Sequence, residues 1–272
     1  MNTVLRAEWT KLRTVAGPGW LLVAAIAATA VVGALAANAV SCPAGGCQVD
    51  PAKVSLTGIY LGQAIVAVVA VTAVSGEYST GMIRLTLTAT PRRWLVLAAK
   101  AAVVGTASLI AGALAVLASV LAGRVLLDGH GIDPAHGYAT LSLADGTVLR
   151  AAAGSVLYLT LIALLGLGIA TAIRDSAVSI GVVLGLLYLF PIIAGVIGDA
   201  TWKRHLDQIS PMVAGMYIQA TTDLRALPLD PWQGLGVLAA WAAGALLAGG
   251  LLLGLRDALS VGRRAANRGR GE

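Results

Sequence analysis

The chain has 272 residues, of which 58% are hydrophobic and only 12% are charged, with a net charge of +6. Typical soluble domains have roughly 45–50% apolar and about 25% charged residues, so a single soluble core of this length cannot bury so much apolar surface. The composition argues against a soluble enzyme. It also excludes a disordered chain, because disordered chains are poor in apolar residues and rich in charge.

The chain begins with an amphipathic segment over about residues 2–16. Its apolar residues recur at the spacing of one helical face and are Leu5, Trp9, Leu12 and Ala16. Basic residues occupy the rest of the circumference, so the pattern predicts a helix that lies in the membrane interface. The run Gly17-Pro18-Gly19 then predicts a turn into the first span.

Six uncharged apolar stretches follow, each long enough to cross about 30 Å of hydrocarbon as a helix. They are Trp20–Val40, Thr57–Gly76, Ala101–Gly123, Ala151–Ile173, Ser176–Gly198 and Trp232–Leu255. Backbone groups inside a bilayer have to be satisfied within the segment, so these stretches predict helices rather than strands. The predicted fold is an all-α polytopic integral membrane protein, with residues 1–272 forming one transmembrane domain.

The basic residues lie unevenly on the two sides of the membrane. Six spans place both termini on one side, together with the loops Glu77–Lys100 and Arg174–Asp175, and that side holds 13 of the 19 Lys and Arg residues. The positive-inside rule therefore predicts cytoplasmic termini and a multi-pass protein of the cytoplasmic membrane. The basic tail Gly262–Arg270 favours contact with anionic lipid over nucleic acid.

The outer side carries both cysteines, Cys42 and Cys47, on either side of a Gly-Gly turn. A disulfide between them is favoured over two free thiols, because that compartment permits disulfides. All three histidines lie in outer loops without the spacing of a metal site, so no metal is predicted. The segment Ile209–Ile218 predicts either a short helix against the membrane surface or a packed loop.

The motifs of catalysis and of ATP binding are missing from the sequence. It contains no Gly-x4-Gly-Lys-Ser/Thr phosphate loop and no Gly-x-Ser-x-Gly elbow, and none of its six stretches contains a histidine. We therefore expect a chain that is not an enzyme and that holds no cofactor of its own.

The first inner loop is longer than a connection between two spans requires. Over residues 77–91 a helix-length segment is stopped by Pro91, and its apolar residues are Met82, Ile83, Leu85 and Leu87, with Arg84 among them. Such a helix either lies on lipid or fits a groove on a partner, and the residues leave both open. We expect the side chains at the start of the third span to extend toward the interface. These are Arg92, Arg93 and Lys100.

This loop resembles the signature that follows the second span of ABC-2-type transporter permeases. The matching run is Glu77-Tyr-x-x-Gly81-Met-Ile-Arg84, followed by Leu87, Pro91-Arg-Arg93 and Lys100. The opening Ala7-Glu-Trp-Thr-Lys-Leu-Arg13 and the closing Arg256-Asp-Ala258 are also similar to the short six-span permeases of high-GC Gram-positive bacteria. The resemblance covers essentially the whole chain.

The resemblance implies the membrane subunit of an ATP-driven exporter. ATP and Mg²⁺ would bind to a separate ATPase subunit, and two permease chains, identical or different, would join two ATPase chains. The segment 77–91 would be the coupling helix that docks on the ATPase, beginning at Glu77 and Gly81 and ending at Pro91 and Arg93. Its partner-binding residues would be Glu77, Tyr78, Gly81, Met82, Ile83, Arg84, Leu85, Leu87, Pro91 and Arg93.

The resemblance also implies that the second and fifth spans line the substrate path. The candidate residues on those spans are Tyr60, Gln63, Ser179 and Phe190. Hydrogen bonding between helices is the alternative role for them. The spans lack the intramembrane charge that ion-coupled carriers use, which fits an external energy source. The alternative function is a non-transporting membrane immunity or sensor subunit that docks a cytoplasmic partner.

Overall fold

A computed structural model describes residues 2–14, 16–40, 49–83, 86, 92–129, 132 and 141–268. The regular secondary structure within these residues is helical. Its α-helices are α1 (Asn2–Thr14), α2 (Ala16–Ala39), α3 (Pro51–Ser55), α4 (Ile59–Ser79), α5 (Arg93–Asp128), α6 (Gly146–Ile173), α7 (Ser176–Val196), α8 (Ala200–Ile209), α9 (Pro211–Met216) and α10 (Pro231–Arg268). Two short 3-10 helices, Tyr217–Gln219 and Leu224–Ala226, lie between α9 and α10.

Six of these helices are long and apolar enough to cross a membrane, namely α2, α4, α5, α6, α7 and α10. Each covers one of the six stretches predicted from the sequence to within two residues at either end of the stretch, so the all-α polytopic fold is confirmed. Among them, α5 has 36 residues, which span about 54 Å at 1.5 Å per residue. Because this exceeds the roughly 30 Å of hydrocarbon, α5 either tilts or extends beyond it.

The helix α6 lies at the centre of the bundle and packs against α4, α5 and α10. Tyr158, Leu159, Ile162 and Leu165 on this helix are at most 1% exposed. A helix that is apolar around its whole circumference is expected to be buried among others. By contrast, α2 and α7 stay largely exposed, as helices that face lipid do.

Glycine lets α6 and α10 approach each other closely. A Cβ atom on Gly168 would lie 2.5 Å from the backbone carbon of Ala245, and one on Gly249 would lie 2.7 Å from the carbonyl oxygen of Gly168. No side chain fits at those distances, so the two backbones meet directly. Small residues serve the same purpose at many interfaces between membrane helices, where close packing drives association.

The first span begins differently from the expectation. Because α2 already starts at Ala16, the run Gly17-Pro18-Gly19 lies in its first turn, and the predicted turn at that run is wrong. Proline fits in the first turn of a helix because the N–H groups there have no intrahelical acceptor. We call the side of the molecule that carries α1, the end of α4 and the start of α5 the terminal face.

On the opposite face, Asp50 joins two segments that are far apart in the chain. Its carboxylate caps α3 by accepting hydrogen bonds from the N–H groups of Ala52 and Lys53. It also accepts a hydrogen bond from the hydroxyl of Thr221 at 2.6 Å. Within the segment Ile209–Ile218 the structure has the helix α9, but most of its residues are buried and pack against α10, so the predicted position on the membrane surface is wrong.

Candidate functional site

Four charged side chains from three helices meet at the terminal face. Glu8 and Lys11 lie one turn apart on α1, Glu77 lies in the last turn of α4, and Lys100 lies two turns into α5. Both Glu77 and Lys100 are helical, because α4 continues to residue 79 and α5 begins at residue 93. We call Glu8, Lys11, Glu77 and Lys100 the ion cluster.

Each ammonium group of the ion cluster contacts both carboxylates. Lys100 Nζ lies 2.7 Å from Glu8 Oε2 and 2.6 Å from Glu77 Oε1. Lys11 Nζ lies 3.0 Å from Glu8 Oε1 and 2.9 Å from the same Glu77 Oε1. The side chains of Glu8, Glu77 and Lys100 are at most 7% exposed, whereas that of Lys11 is 33% exposed. The cluster is therefore nearly closed to water except at Lys11.

The ion cluster is formally neutral, since two ammonium groups face two carboxylates. Buried charges are costly unless they are paired and hydrogen-bonded, and here each charge has partners on more than one residue. Partial burial acts to lower the pKa of Lys11, but the hydrogen bonds and charges of Glu77 and Glu8 outweigh it and raise that pKa above its ordinary value of 10.5. Lys11 is therefore protonated at neutral pH.

The expectation for Lys100 is wrong. Its ammonium group does not extend toward the interface but is buried against two carboxylates, because α1 and α4 supply those carboxylates at its own depth. The residues Glu8 and Lys11 were noted only as part of the opening run that resembles the permeases. Their opposite charges three residues apart on a helix were the available signal, since such a pair shares one face.

The segment after α4 contacts the ion cluster. Gly81 has a φ of +72°, a left-handed conformation that favours glycine, and it separates α4 from a short helical stretch at residues 82, 83 and 86. Lys11 Nζ donates to Thr86 Oγ1 at 3.3 Å. Met82 is 40% exposed and Ile83 is half-buried. Lys11 therefore joins this segment to α1 and to α4.

Two further residues of the predicted docking set contact other helices. Arg93 donates through Nη1 to the carbonyl oxygen of Leu253 on α10 at 2.7 Å. The guanidinium carbon of Arg174, in the connection between α6 and α7, lies 5.4 Å from the ring centroid of Tyr78, within the range of a cation–π contact. The end of α4 and the start of α5 are therefore linked to the rest of the bundle.

Several predicted residues lie outside the described part of the chain. They are Arg84, Leu85, Leu87 and Pro91 of the docking set, His130 and His136, and both residues of the predicted disulfide, Cys42 and Cys47. The third histidine, His205, is exposed on α8. Among the residues that the structure describes, no three His, Cys, Asp or Glu side chains are grouped so as to hold a metal ion.

About 21 Å along α4 from Glu77, toward the opposite face, Gln63 forms a buried polar contact between three spans. Its Oε1 accepts a hydrogen bond from the hydroxyl of Tyr158 on α6. Its Nε2 donates to the hydroxyl of Tyr188 on α7 at 3.2 Å and lies 3.3 Å from Met212 Sδ. Tyr158 and Tyr188 are not among the residues predicted from the sequence, because partners on separate helices carry no joint signal.

The other substrate-path candidates are not all brought together. The carbonyl oxygen of Tyr60 accepts a hydrogen bond from the Tyr188 hydroxyl, and the Tyr60 side chain is 43% exposed. Phe190 is half-buried two residues after Tyr188, which places it about 200° further round α7 on a different face of the helix. Ser179 is buried on α7 and donates to the carbonyl oxygen of Asp175. It lies roughly 14 Å along the helix from Tyr188, so it is separate from the Gln63 contact.

Comparison with known proteins leaves the family open: no protein-family model matches the chain and no curated protein matches it. The membrane character of the chain follows from its six apolar helices. Its role in the membrane has to be inferred from the chemistry of the terminal face and of the helices behind it.

Proposed function

We propose that this chain is the permease subunit of an ATP-binding-cassette exporter of the ABC-2 type. ATP and Mg²⁺ bind to a separate ATPase subunit, and two permease copies with two ATPase chains form the working unit. The observation that carries the proposal is the ion cluster. Through Lys11 it connects the segment that resembles a coupling helix with three helices of the membrane domain.

A displacement of this segment has a direct route into the membrane domain. Thr86 contacts Lys11, Lys11 contacts Glu77 in α4, and Lys100 continues the contacts to α5. Charge-assisted hydrogen bonds of 2.6–3.0 Å, such as those among the four ion-cluster residues, are strong, and three of the four side chains are almost closed to water. Closure of an ATPase dimer against the segment would therefore move α1, α4 and α5 together, as in a rigid-body transition.

The proposed orientation places the terminal face in the cytoplasm of the cell. The excess of Lys and Arg on that side supports this orientation. The coupling segment then lies on the cytoplasmic side, where ATP is available to the ATPase that docks on it. We place the chain in the cytoplasmic membrane, with both termini inside.

The distribution of charge within the spans supports an external energy source. Carriers driven by protons or ions keep a charged residue near the middle of the membrane as the coupling site. Here Glu77 and Lys100 lie near the ends of α4 and α5 and are paired with each other. The uncharged stretch Thr57–Gly76 occupies nearly all the rest of α4.

Within this proposal the substrate path runs along α4 and α7. The hydrogen bond between Gln63 and Tyr188 is the polar contact that joins these two helices along the path. The Tyr60 carbonyl oxygen contacts Tyr188, Phe190 lies on a different face of α7, and Ser179 lies closer to the terminal face on the same helix. Substitution of Tyr60, Gln63, Ser179 or Phe190 is expected to change substrate preference without changing the association with the ATPase.

The test is a search of the neighbouring genes for a phosphate-loop ATPase and co-purification with its product, followed by assays of ATP hydrolysis. Met82→Asp puts a charge on an exposed apolar residue of the segment, and we expect it to weaken association about tenfold or more. Met82→Leu keeps the apolar surface and is the conservative control. Ala226→Asp places the same charge on an exposed residue of the opposite face and is expected to leave association unchanged.

Two results would contradict different parts of the proposal. If the unaltered chain neither binds the ATPase nor changes its rate of hydrolysis, the permease function is excluded and the immunity or sensor function gains support. If the chain binds but Met82→Asp binds equally well, the docking surface lies elsewhere and the ion cluster loses its role in coupling.

A further inference from the structure

A cavity of about 480 Å³ lies beside the ion cluster, between α1, the first turn of α2, α4 and α5. Most of its wall is apolar and includes Pro18, Ala73, Val103 and Val104, and Glu77 and Lys100 also line it. One water molecule needs only about 10–15 Å³ of such space, and ligand pockets are typically about 300–1,000 Å³. The cavity therefore has the size and lining of a site for a small apolar molecule.

Two polar groups at this cavity have unused hydrogen-bonding capacity among the described residues. Glu77 Oε1 accepts hydrogen bonds from both lysines. The second oxygen, Oε2, accepts no hydrogen bond from the described residues and is buried within a side chain that is only 6% exposed. Lys100 donates to two carboxylate oxygens, while an ammonium group has three N–H donors. A buried acceptor without a partner is costly, so such an atom requires an explanation.

The charge balance of the ion cluster decides which head group fits beside Glu77 and Lys100. The cluster is already neutral, so a cationic or anionic head group would bring an uncompensated charge against Glu77 and Lys100, whose side chains are only 6% exposed. A hydroxyl group is uncharged and both donates and accepts. A rotation of the Glu77 carboxylate that exposes Oε2 to the cavity lets the hydroxyl donate to this oxygen while it accepts a hydrogen bond from the remaining N–H of Lys100. An ammonium head lacks the acceptor and a carboxylate head lacks the donor.

We infer that this cavity is a binding site for an uncharged amphiphile with an apolar chain and a hydroxyl head group, the hydroxyl lying between Glu77 and Lys100. The apolar chain lies against Ala73, Val103 and Val104. Thr14, Thr80 and Met82 also line the cavity and are exposed, so the ligand enters from the terminal face. This inference concerns binding alone and does not depend on the proposed transport function.

The test uses the full chain in lipid nanodiscs and a dodecanol analogue that carries a photoreactive diazirine in mid-chain. Labelled peptides are mapped by mass spectrometry, and we expect adducts on the α4 and α5 residues of the cavity wall. Ala73→Phe and Thr72→Phe each fill the cavity and are expected to abolish this labelling. Ala98→Phe, an exposed position on α5 outside the cavity, is the matched control and is expected to label as the unaltered chain does.

Competition identifies the head group and the source of the ligand. Unlabelled dodecanol is expected to displace the probe about tenfold more effectively than dodecane, because the hydroxyl bonds to charged groups. Dodecylamine and dodecanoate are expected to compete no better than dodecane. Stronger competition by monolauroylglycerol than by dodecanol would assign the site to a membrane lipid, and the reverse to a free alcohol.

Other outcomes overturn the inference. Equal labelling of the unaltered chain, Ala73→Phe and Thr72→Phe would show that the probe does not occupy the cavity, which then holds only water. Adducts spread evenly over the lipid-facing residues would lead to the same conclusion. If dodecane competes as well as dodecanol, the hydroxyl contact with Glu77 and Lys100 is excluded.

Discussion

Replacement of Lys100 by methionine removes the ammonium group that joins α1, α4 and α5 while it keeps the apolar part of the side chain. Glu8 and Glu77 lose contacts of 2.7 and 2.6 Å, and the formal charge of the ion cluster changes from zero to −1. Only Lys11, which is 33% exposed, remains to neutralise two buried carboxylates. Removal of one partner from a buried ion pair costs about 3–5 kcal/mol, so we expect Lys100→Met to lower the free energy of unfolding by that amount.

The measurement is unfolding of the purified chain in mixed micelles by titration with sodium dodecyl sulfate, followed by far-ultraviolet circular dichroism. Lys53→Met is the matched control, because Lys53 is exposed on the opposite face and should change stability by no more than about 0.5 kcal/mol. The double variant Glu77→Gln with Lys100→Met completes a double-mutant cycle. We expect the double loss to be smaller than the sum of the single losses by about 0.5–3 kcal/mol.

A loss for Lys100→Met that equals the loss for Lys53→Met would refute the reasoning. It would mean that Lys100 is not buried against the carboxylates or that water compensates both of them. Strict additivity of the Glu77 and Lys100 substitutions would refute the direct contact between the two residues, even if each single variant were unstable.

Three further predictions concern other parts of the molecule. Lys11→Met should destabilise the chain by an amount that does not vary with pH near neutrality. The stabilisation by Lys11 is fully present below 10.5, its ordinary pKa, and is lost as the pH rises through the raised pKa of the folded state. Unfolding titrations from pH 7 into alkali measure the difference in stability between the unaltered chain and Lys11→Met. A difference that does not become smaller in alkali would exclude the stabilising role of the charged Lys11. Gly168→Ala should lower the free energy of unfolding by about 1–3 kcal/mol in the same assay, because its Cβ would meet backbone atoms of α10. Gly181→Ala is the control and should be nearly neutral, because its Cβ would have no atom within 4 Å. Equal effects of the two variants would contradict the close packing of α6 on α10. Asp50→Ala should lower the free energy of unfolding by about 1–2 kcal/mol and speed hydrogen exchange at the Thr221 N–H, while Asp50→Asn keeps most of the α3 cap. Unchanged exchange at Thr221 in Asp50→Ala would argue against the contact between Asp50 and Thr221.

The helices of the bundle could be predicted because their signals are local. Each stretch of about 20 apolar residues is long enough to span the hydrocarbon and has to satisfy its own backbone there, whatever surrounds it. The ends of the helices were harder to predict, since charged residues next to an apolar stretch are typical of a loop. Arg93 to Lys100 are helical because Lys100 finds its partners inside the protein, and hydropathy carries no information about those partners.

The candidate site was predicted only in part for the same reason. The segment after α4 was found from its length and apolar residues, and Glu77 and Lys100 belong to the run that resembles the permeases. That these two residues contact each other and share Glu8 and Lys11 did not follow from their spacing. Two spans can pack in several registers and rotations, and each would place a different pair of side chains in contact.

The sequence alone therefore determined that this protein is built for a lipid bilayer and that it has six spans, because both follow from composition and from the distance across a bilayer. Only the tertiary structure decided that Lys100 meets Glu8 and Glu77, which lie 92 and 23 residues away, and that Gln63 meets Tyr158 across 95 residues. Contacts of this kind depend on how the helices pack, and a buried polar group is stable only where that packing brings it a partner.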